Sequence, residues 1–323
     1  MSHINTYLAF FGVVFMSVLL TVGLVLFPIE EYVLHTSAEE VQEEVATTTL
    51  LFVGDIMLDR HIRKSLDAHG SDHVFGEVRE LLESADFTLG NLEGPITDSY
   101  SVSSGTAVGD MNNMRFTFAP AVASMLAALG FDAVSIGNNH IHDFGTTGVE
   151  STKRYLEASG IVFVGDPLRT TPEPRMLEKN GTRIALVGYS EFEGGSEAAA
   201  IASIRDGRRQ DADVVIVMAH WGTEYEKTPP EAVRLLARRF SEAGADIVIG
   251  THAHVVGEVE NIGATRVYYS LGNFAFDQYW EKEVRCGLAV LVSLAKNAQE
   301  TKIAFEEKEI GMTPNGQTVL GCI

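Results

Sequence analysis

The sequence predicts an α/β fold. Five short apolar runs each stop at polar residues of the kind that bind ligands, and helical patterns lie between several of them. An uncharged apolar stretch at the N-terminus, Tyr7 to Phe27, predicts a membrane-spanning helix ahead of that fold.

The elements follow in chain order. Tyr7 to Phe27 has about the roughly 20 residues that a spanning helix needs, more than the apolar part of most signal peptides. Thr36-Ser37-Ala38 is a poor cleavage site, so residues 1–28 are expected to stay as an anchor. No Lys or Arg precedes the span, and the first basic residue after it is Arg60, so charge bias gives little orientation. A short N-terminal arm before a large domain points to a single-pass cell-membrane protein with its bulk extracytoplasmic. Residues 29–48, with six glutamates from Glu30 to Glu44, read as an acidic linker.

Residues 49–323 are expected to form the globular domain. Its apolar runs are Leu50–Val53, Ala85–Leu89, Ala133–Ile136, Val214–Ala219 and Asp246–Ile249. They end at Gly54-Asp55, Gly90-Asn91, Gly137-Asn138, His220 and Gly250-Thr251-His252. Helical patterns cover Phe75–Ser84, Ala121–Leu129, Val149–Ser159 and Pro230–Ala243, two of them stopped by Gly130 and Gly244. Ser99–Met114 is rich in Ser, Gly and Asn and reads as a long loop or flap. The later strands, Arg183–Tyr189, Arg266–Leu271, Cys286–Leu294 and Lys302–Glu307, have few helices between them and predict a second sheet or an antiparallel extension. Cys286 lies in an apolar run and reads as a small core residue. With Cys322 it makes no disulfide framework.

The net charge of −20 argues against nucleic-acid binding, which needs Lys and Arg to neutralise phosphates. An anionic substrate would need local positive charge, which bound metal ions supply. The strand ends offer the ligands: Asp55, Asn91 with Glu93, Asn139 with His140 and Asp143, His220, and His252 with His254. Carboxylate oxygens with imidazole nitrogens suit Zn, Mn or Fe, and in open α/β sheets ligands bind beyond the carboxyl ends of strands. Each residue alone has a plainer reading. Asp55 suits a helix cap, Glu93 and Asn139 suit turns, His140 suits a satisfied loop histidine and His220 a buried, hydrogen-bonded one. The pair His252 and His254 is the hardest to dismiss, because residues i and i+2 of an extended segment share a face.

The combined motifs resemble the bacterial capsule-synthesis CapA, or poly-γ-glutamate synthesis, family, relatives of the calcineurin-like metallophosphoesterases. The matching stretches are Gly54–Arg60, Gly90–Thr97, Gly137–Gly145, His220–Tyr225, Gly250–His254 and Tyr269–Phe274, all within residues 49–294. The resemblance implies a four-layer αββα sandwich of two mixed sheets flanked by helices. It implies one or two divalent metal ions on Asp55, Glu93, Asn139, His220, His252 and His254, with Glu93 bridging. His140 would protonate the leaving group, with Asn91, Arg60, Asp143, Glu224 and Asn273 in support. Two departures stand out. Met57 occupies the place of a superfamily histidine, and the second motif carries Asn91 and Glu93 in place of an aspartate. The implied function is metal-dependent hydrolysis of an anionic phosphoester or polyglutamate-like substrate in envelope polymer synthesis, beside membrane polymer-synthesis proteins. The alternative is a non-catalytic accessory, polymer-binding or export component.

Overall fold

The computed structural model describes residues 45–107, 109–169, 173–192 and 197–322. The expected anchor and nearly all of the expected linker lie outside these residues. Among the described residues, no helix is long and apolar enough to cross a membrane.

The first strand, β1 (Ala46–Ile56), begins inside the stretch expected to be linker. The polar Ala46-Thr47-Thr48 end is recruited because it pairs with Lys296, Ala295 and Leu294 of a later strand. β1 runs parallel to β2 (Phe87–Leu92), which is followed by β3 (Phe131–Ser135) and β4 (Val162–Val164), also parallel. On its other side β1 meets β12 (Cys286–Lys296), then β13 (Thr301–Met312) and β14 (Thr318–Leu320), all antiparallel. The three-residue β11 (Asn273–Ala275) joins the end of β1 in parallel.

A second mixed sheet has the order β5 (Arg175–Lys179), β6 (Thr182–Ser190), β7 (Val214–His220), β8 (Ile247–Thr251), β10 (Thr265–Tyr268), β9 (Val259–Ile262). Its middle four strands are parallel. Both expectations for the later strands are therefore met, a second sheet and an antiparallel extension of the first.

Strand alternation sorts the apolar side chains into layers. Leu50 and Phe52 of β1 cluster with Leu89, Val290 and Val292, and with Ile184, Ile216 and Ile249 of the second sheet. Leu51 and Val53 point the other way, into a cluster with Ile62, Leu126, Val149 and Leu156. These come from α1 (Arg60–His69), α4 (Ala121–Ala128) and α5 (Gly145–Ala158). The second sheet's Ala185, Val187, Val215 and Val217 cluster with Ile204, Leu236 and Phe240 of α6 (Glu197–Arg209) and α7 (Glu231–Ala243). The result is an α/β sandwich of two sheets with helices on their outer faces.

Three expectations change. The single helix over Phe75–Ser84 is instead α2 (Ser71–Phe75), a 3₁₀ turn at Gly76–Val78, and α3 (Arg79–Leu82). Gly76, with its poor helix propensity, stands at the break. Helices α1 and α6 were not anticipated. α1 buries only Ile62 and Ser65, and α6 packs through Ala, Ser and Gly as well as Ile204, so neither writes a strong apolar stripe. Finally, Cys286 is bonded to Cys322, with Cα atoms 5.1 Å apart. The bridge ties the start of β12 to the residues just past β14.

Candidate metal centre

The parallel strands of both sheets deliver their carboxyl ends to one place. Register fixes the first sheet's contribution: Asp55 of β1 is opposite Asn91 of β2 on one side and Asn273 of β11 on the other. In the second sheet, His220 closes β7 opposite Thr251, which closes β8. A side chain at residue 54 would forbid this assembly. A Cβ there would lie 1.9 Å from the Gly272 carbonyl, which accepts the Asp55 amide at 3.0 Å.

Asp55, Glu93 and His254 form the heart of the site. All three are buried, and a ligand atom from each lies within 4.8 Å of the others. His254 Nδ1 is 3.3 Å from Asp55 Oδ2, and its Nε2 is 3.6 Å from Glu93 Oε1. Neither oxygen of Glu93 accepts a hydrogen bond. A buried carboxylate without donors is costly, so this orphan calls for a partner, and a cation supplies one.

A second group faces the first. His220 Nε2 and Asn139 Oδ1 converge to 2.9 Å, and the rings of His220 and His252 are 4.8 Å apart. Asn91 links the two groups, with Nδ2 2.8 Å from Asp55 Oδ1 and 3.2 Å from His220 Nδ1. His252 Nδ1 is a further buried nitrogen without a partner.

The electrostatics suit cation binding. Burial, opposed by His254 and reinforced by Asp55, pushes the Glu93 carboxyl well above its usual range. Burial and the neighbouring His252 hold His220 well below normal. Burial and His254 lower His252 to about 4. Both rings are therefore neutral near pH 7, with lone pairs available. Burial also works against protonated His254, but Glu93 and Asp55 outweigh it and lift that ring to about 9. Two partnerless carboxylate oxygens, a second carboxylate, neutral imidazoles and an amide oxygen make a donor set that fits a divalent transition-metal ion.

The structure gathers the expected strand-end residues, but the shared face expected for His252 and His254 is not what it shows. They do not lie on an extended segment. Both have left-handed backbones, with φ of 93° and 58°, and their ring centroids are 6.1 Å apart. His254 serves the carboxylate group, while His252 packs tilted against Phe192 and neighbours His220. The contacts of Glu93 are with Asp55 and His254, and Asn91 is the residue that touches both groups. Met57 is buried in the core, its sulfur accepting the Asp59 amide.

The supporting residues fall in varied places. His140 sits at the edge of the site, its Nδ1 2.9 Å from Asp143 Oδ2 and its ring 4.2 Å from that of Phe116. Asp143 also accepts the Phe116 amide. Asn273 Oδ1 accepts from His254 Nδ1 at 3.0 Å, and its Nδ2 donates to Gln278. Glu224, half-buried, bonds Tyr225 and adds negative charge near Glu93. Arg60 stands apart from the carboxylates, paired with Asp277 and lying over Phe116 and Phe276. Sequence reasoning left out two residues that orient the ligands. Asn138 ties Asn91 to the His140 amide, and Thr251 contacts His220 Nδ1 at 3.0 Å. Both lie in the quoted motifs, but only the fold shows which motif residue turns inward.

Residues 49–278 match the family described as bacterial capsule synthesis protein PGA_cap. Among characterised proteins, the chain is 30% identical over 263 residues to the PGA biosynthesis protein CapA of Bacillus subtilis, covering 76% of this chain and 67% of that protein. It is 29% identical over 253 residues to the capsule biosynthesis protein CapA of Bacillus anthracis, covering 72% of this chain and 61% of that protein. The strand-end residues described above lie inside the matched region, and the chain belongs to the bacterial capsule synthesis protein PGA_cap family.

Proposed function

We propose that the chain is a metal-dependent, phosphoesterase-like hydrolase of envelope polymer assembly, acting on an anionic phosphoester or on polyglutamate-like material. The observation that carries this reading is Glu93, whose two buried oxygens have no donor and lie beside Asp55 and His254. Asp55, Glu93 and His254 would hold one ion; Asn139, His220 and His252 would hold a second or complete the first. A bound ion would supply positive charge for an anionic substrate and lower the pKa of water to about 7. Asp143 fixes the His140 ring by engaging Nδ1, which leaves Nε2 to act on a leaving oxygen. Phe116 packs on the same ring and keeps it from swinging away.

The layered fold and its edge site are consistent with the metallophosphoesterase-like αββα sandwich. We further propose that Tyr7–Phe27 anchors the protein in the cell membrane, with the bulk extracytoplasmic beside membrane polymer-synthesis proteins. The Cys286–Cys322 bridge supports this, because such bonds persist in oxidising compartments. The buried Met57 favours one other reading. With a ligand position filled by a core thioether, the site would bind or guide polymer without cleaving it.

The test is elemental analysis of the purified protein together with turnover of a chromogenic phosphodiester, before and after chelation and with Mn²⁺ restored. Bound metal with chelator-sensitive, Mn²⁺-restored turnover is expected. Bound metal without turnover on a broad ester panel would favour the accessory role, and no metal would remove both readings.

A further inference from the structure

A cavity of about 580 Å³ lies beside the metal centre, within the size range of small-molecule sites. It is joined to the centre by shared side chains. Tyr225, on its wall, has its ring 6.0 Å from that of His254, and Gln278, also lining it, bonds Asn273, which holds His254. Two large aromatic side chains face solvent here. Trp280 is 57% exposed and Tyr225 42%, and their rings meet edge to face at 5.8 Å to form an open corner. Exposing this much aromatic surface has a cost that calls for a ligand.

Apart from Met114 and Gly105, the rest of the lining is polar, and two of its amides are already positioned. Asn113 is held by Arg60 and Thr106, and Gln278 by Asn273 and Tyr225. A side-chain amide has four hydrogen-bonding positions, and these contacts leave at least one on each amide open among the described residues. Charge decides between ligand classes. Arg60 is neutralised by Asp277, which lines the same cavity, and Lys64 is the one lining Lys or Arg with no carboxylate partner among the described residues. A polyanion needs several unpaired cations, whereas a sugar needs an aromatic face for its C–H surface and fixed amides for its hydroxyls.

We propose that this cavity is a glycan subsite that seats a neutral, polyhydroxylated segment of the ligand against Tyr225 and Trp280. The proposal stands beside the hydrolase reading without requiring it. The chain has two tryptophans, and Trp221 is fully buried, so a change in emission on ligand addition reports Trp280.

The experiment titrates the full chain, in a detergent without a sugar headgroup, with three probes: a glucose trisaccharide, an N-acetylglucosamine trisaccharide and tri-γ-glutamate. Saturable emission change with at least one trisaccharide is expected, and it should persist after metal is stripped. By calorimetry, Trp280→Ala should weaken that binding about tenfold or more, and Trp280→Phe should recover part of it. Trp280 is exposed, so folding is not at stake. Response to neither sugar, response to tri-γ-glutamate alone, or unchanged sugar affinity in Trp280→Ala overturns the proposal. Intact sugar binding with no esterase turnover would sink the hydrolase reading and leave this one standing.

Discussion

At the scale of single residues, the site stores its tension in Glu93. Two carboxylates share the buried cluster with one histidine, and the second of them has no hydrogen bond. Glu93→Gln keeps the shape and removes the capacity for negative charge. The metal-stripped variant should therefore melt close to stripped wild type, while metal content falls sharply. Calorimetric melts with and without chelator check this; a variant that still gains stability from metal would rule Glu93 out as a ligand. His140 differs, because it bonds Asp143 at the rim of the cluster. His140→Ala should keep near-normal metal content and lose about 10²–10⁴-fold on esters with poor leaving groups. Nitrophenyl esters, which need little protonation, should suffer less; equal losses on both would show that the ring only packs. Which residues would meet was legible from their place at the ends of apolar runs. How His252 and His254 divide between the two groups was not, because their left-handed backbones are a property of the turn and no alternation rule encodes them.

At the scale of elements, Asp59 shows how the loop over Ser99–Met114 is held. Asp59 is fully buried at the start of α1, where Oδ1 accepts from the Arg60 amide and Arg63 Nε. Its Oδ2 accepts from Ser103 Oγ and the Thr117 amide, one inside that loop and one just beyond it. Asp59→Ala strands four donors at once. A loss of about 3–5 kcal/mol is expected, together with faster proteolysis between residues 99 and 114 than elsewhere. A melt within 1 °C of wild type would contradict this role. The sequence marked Asp59 only as part of a motif, since two of its four partners lie more than 40 residues away. The long strands and the amphipathic α7 were readable from their periodicity. The three-residue strands β11 and β14 were not, because pairing with a neighbour, and no pattern of their own, makes them strands.

At the scale of the whole molecule, charge and compartment dominate. With a net charge of −20, the anionic substrate proposed above would meet a repulsive background and would need local positive charge at the proposed metal centre. The anchor proposal is checked by N-terminal sequencing of mature protein, which should begin at or near Met1; a start near Glu39 would sink it. The disulfide is checked by Cys322→Ser, which should lower stability by at most about 4 kcal/mol for a loop of this size. Cys286 and Cys322 are 36 residues apart, and the second arrives only after β12, β13 and β14 have been made. Closure of the bond is therefore a timestamp on biosynthesis. A chain halted anywhere between Gly287 and Gly321 keeps a free thiol at Cys286, so a thiol-reactive dye would separate stalled chains from those that have passed that checkpoint.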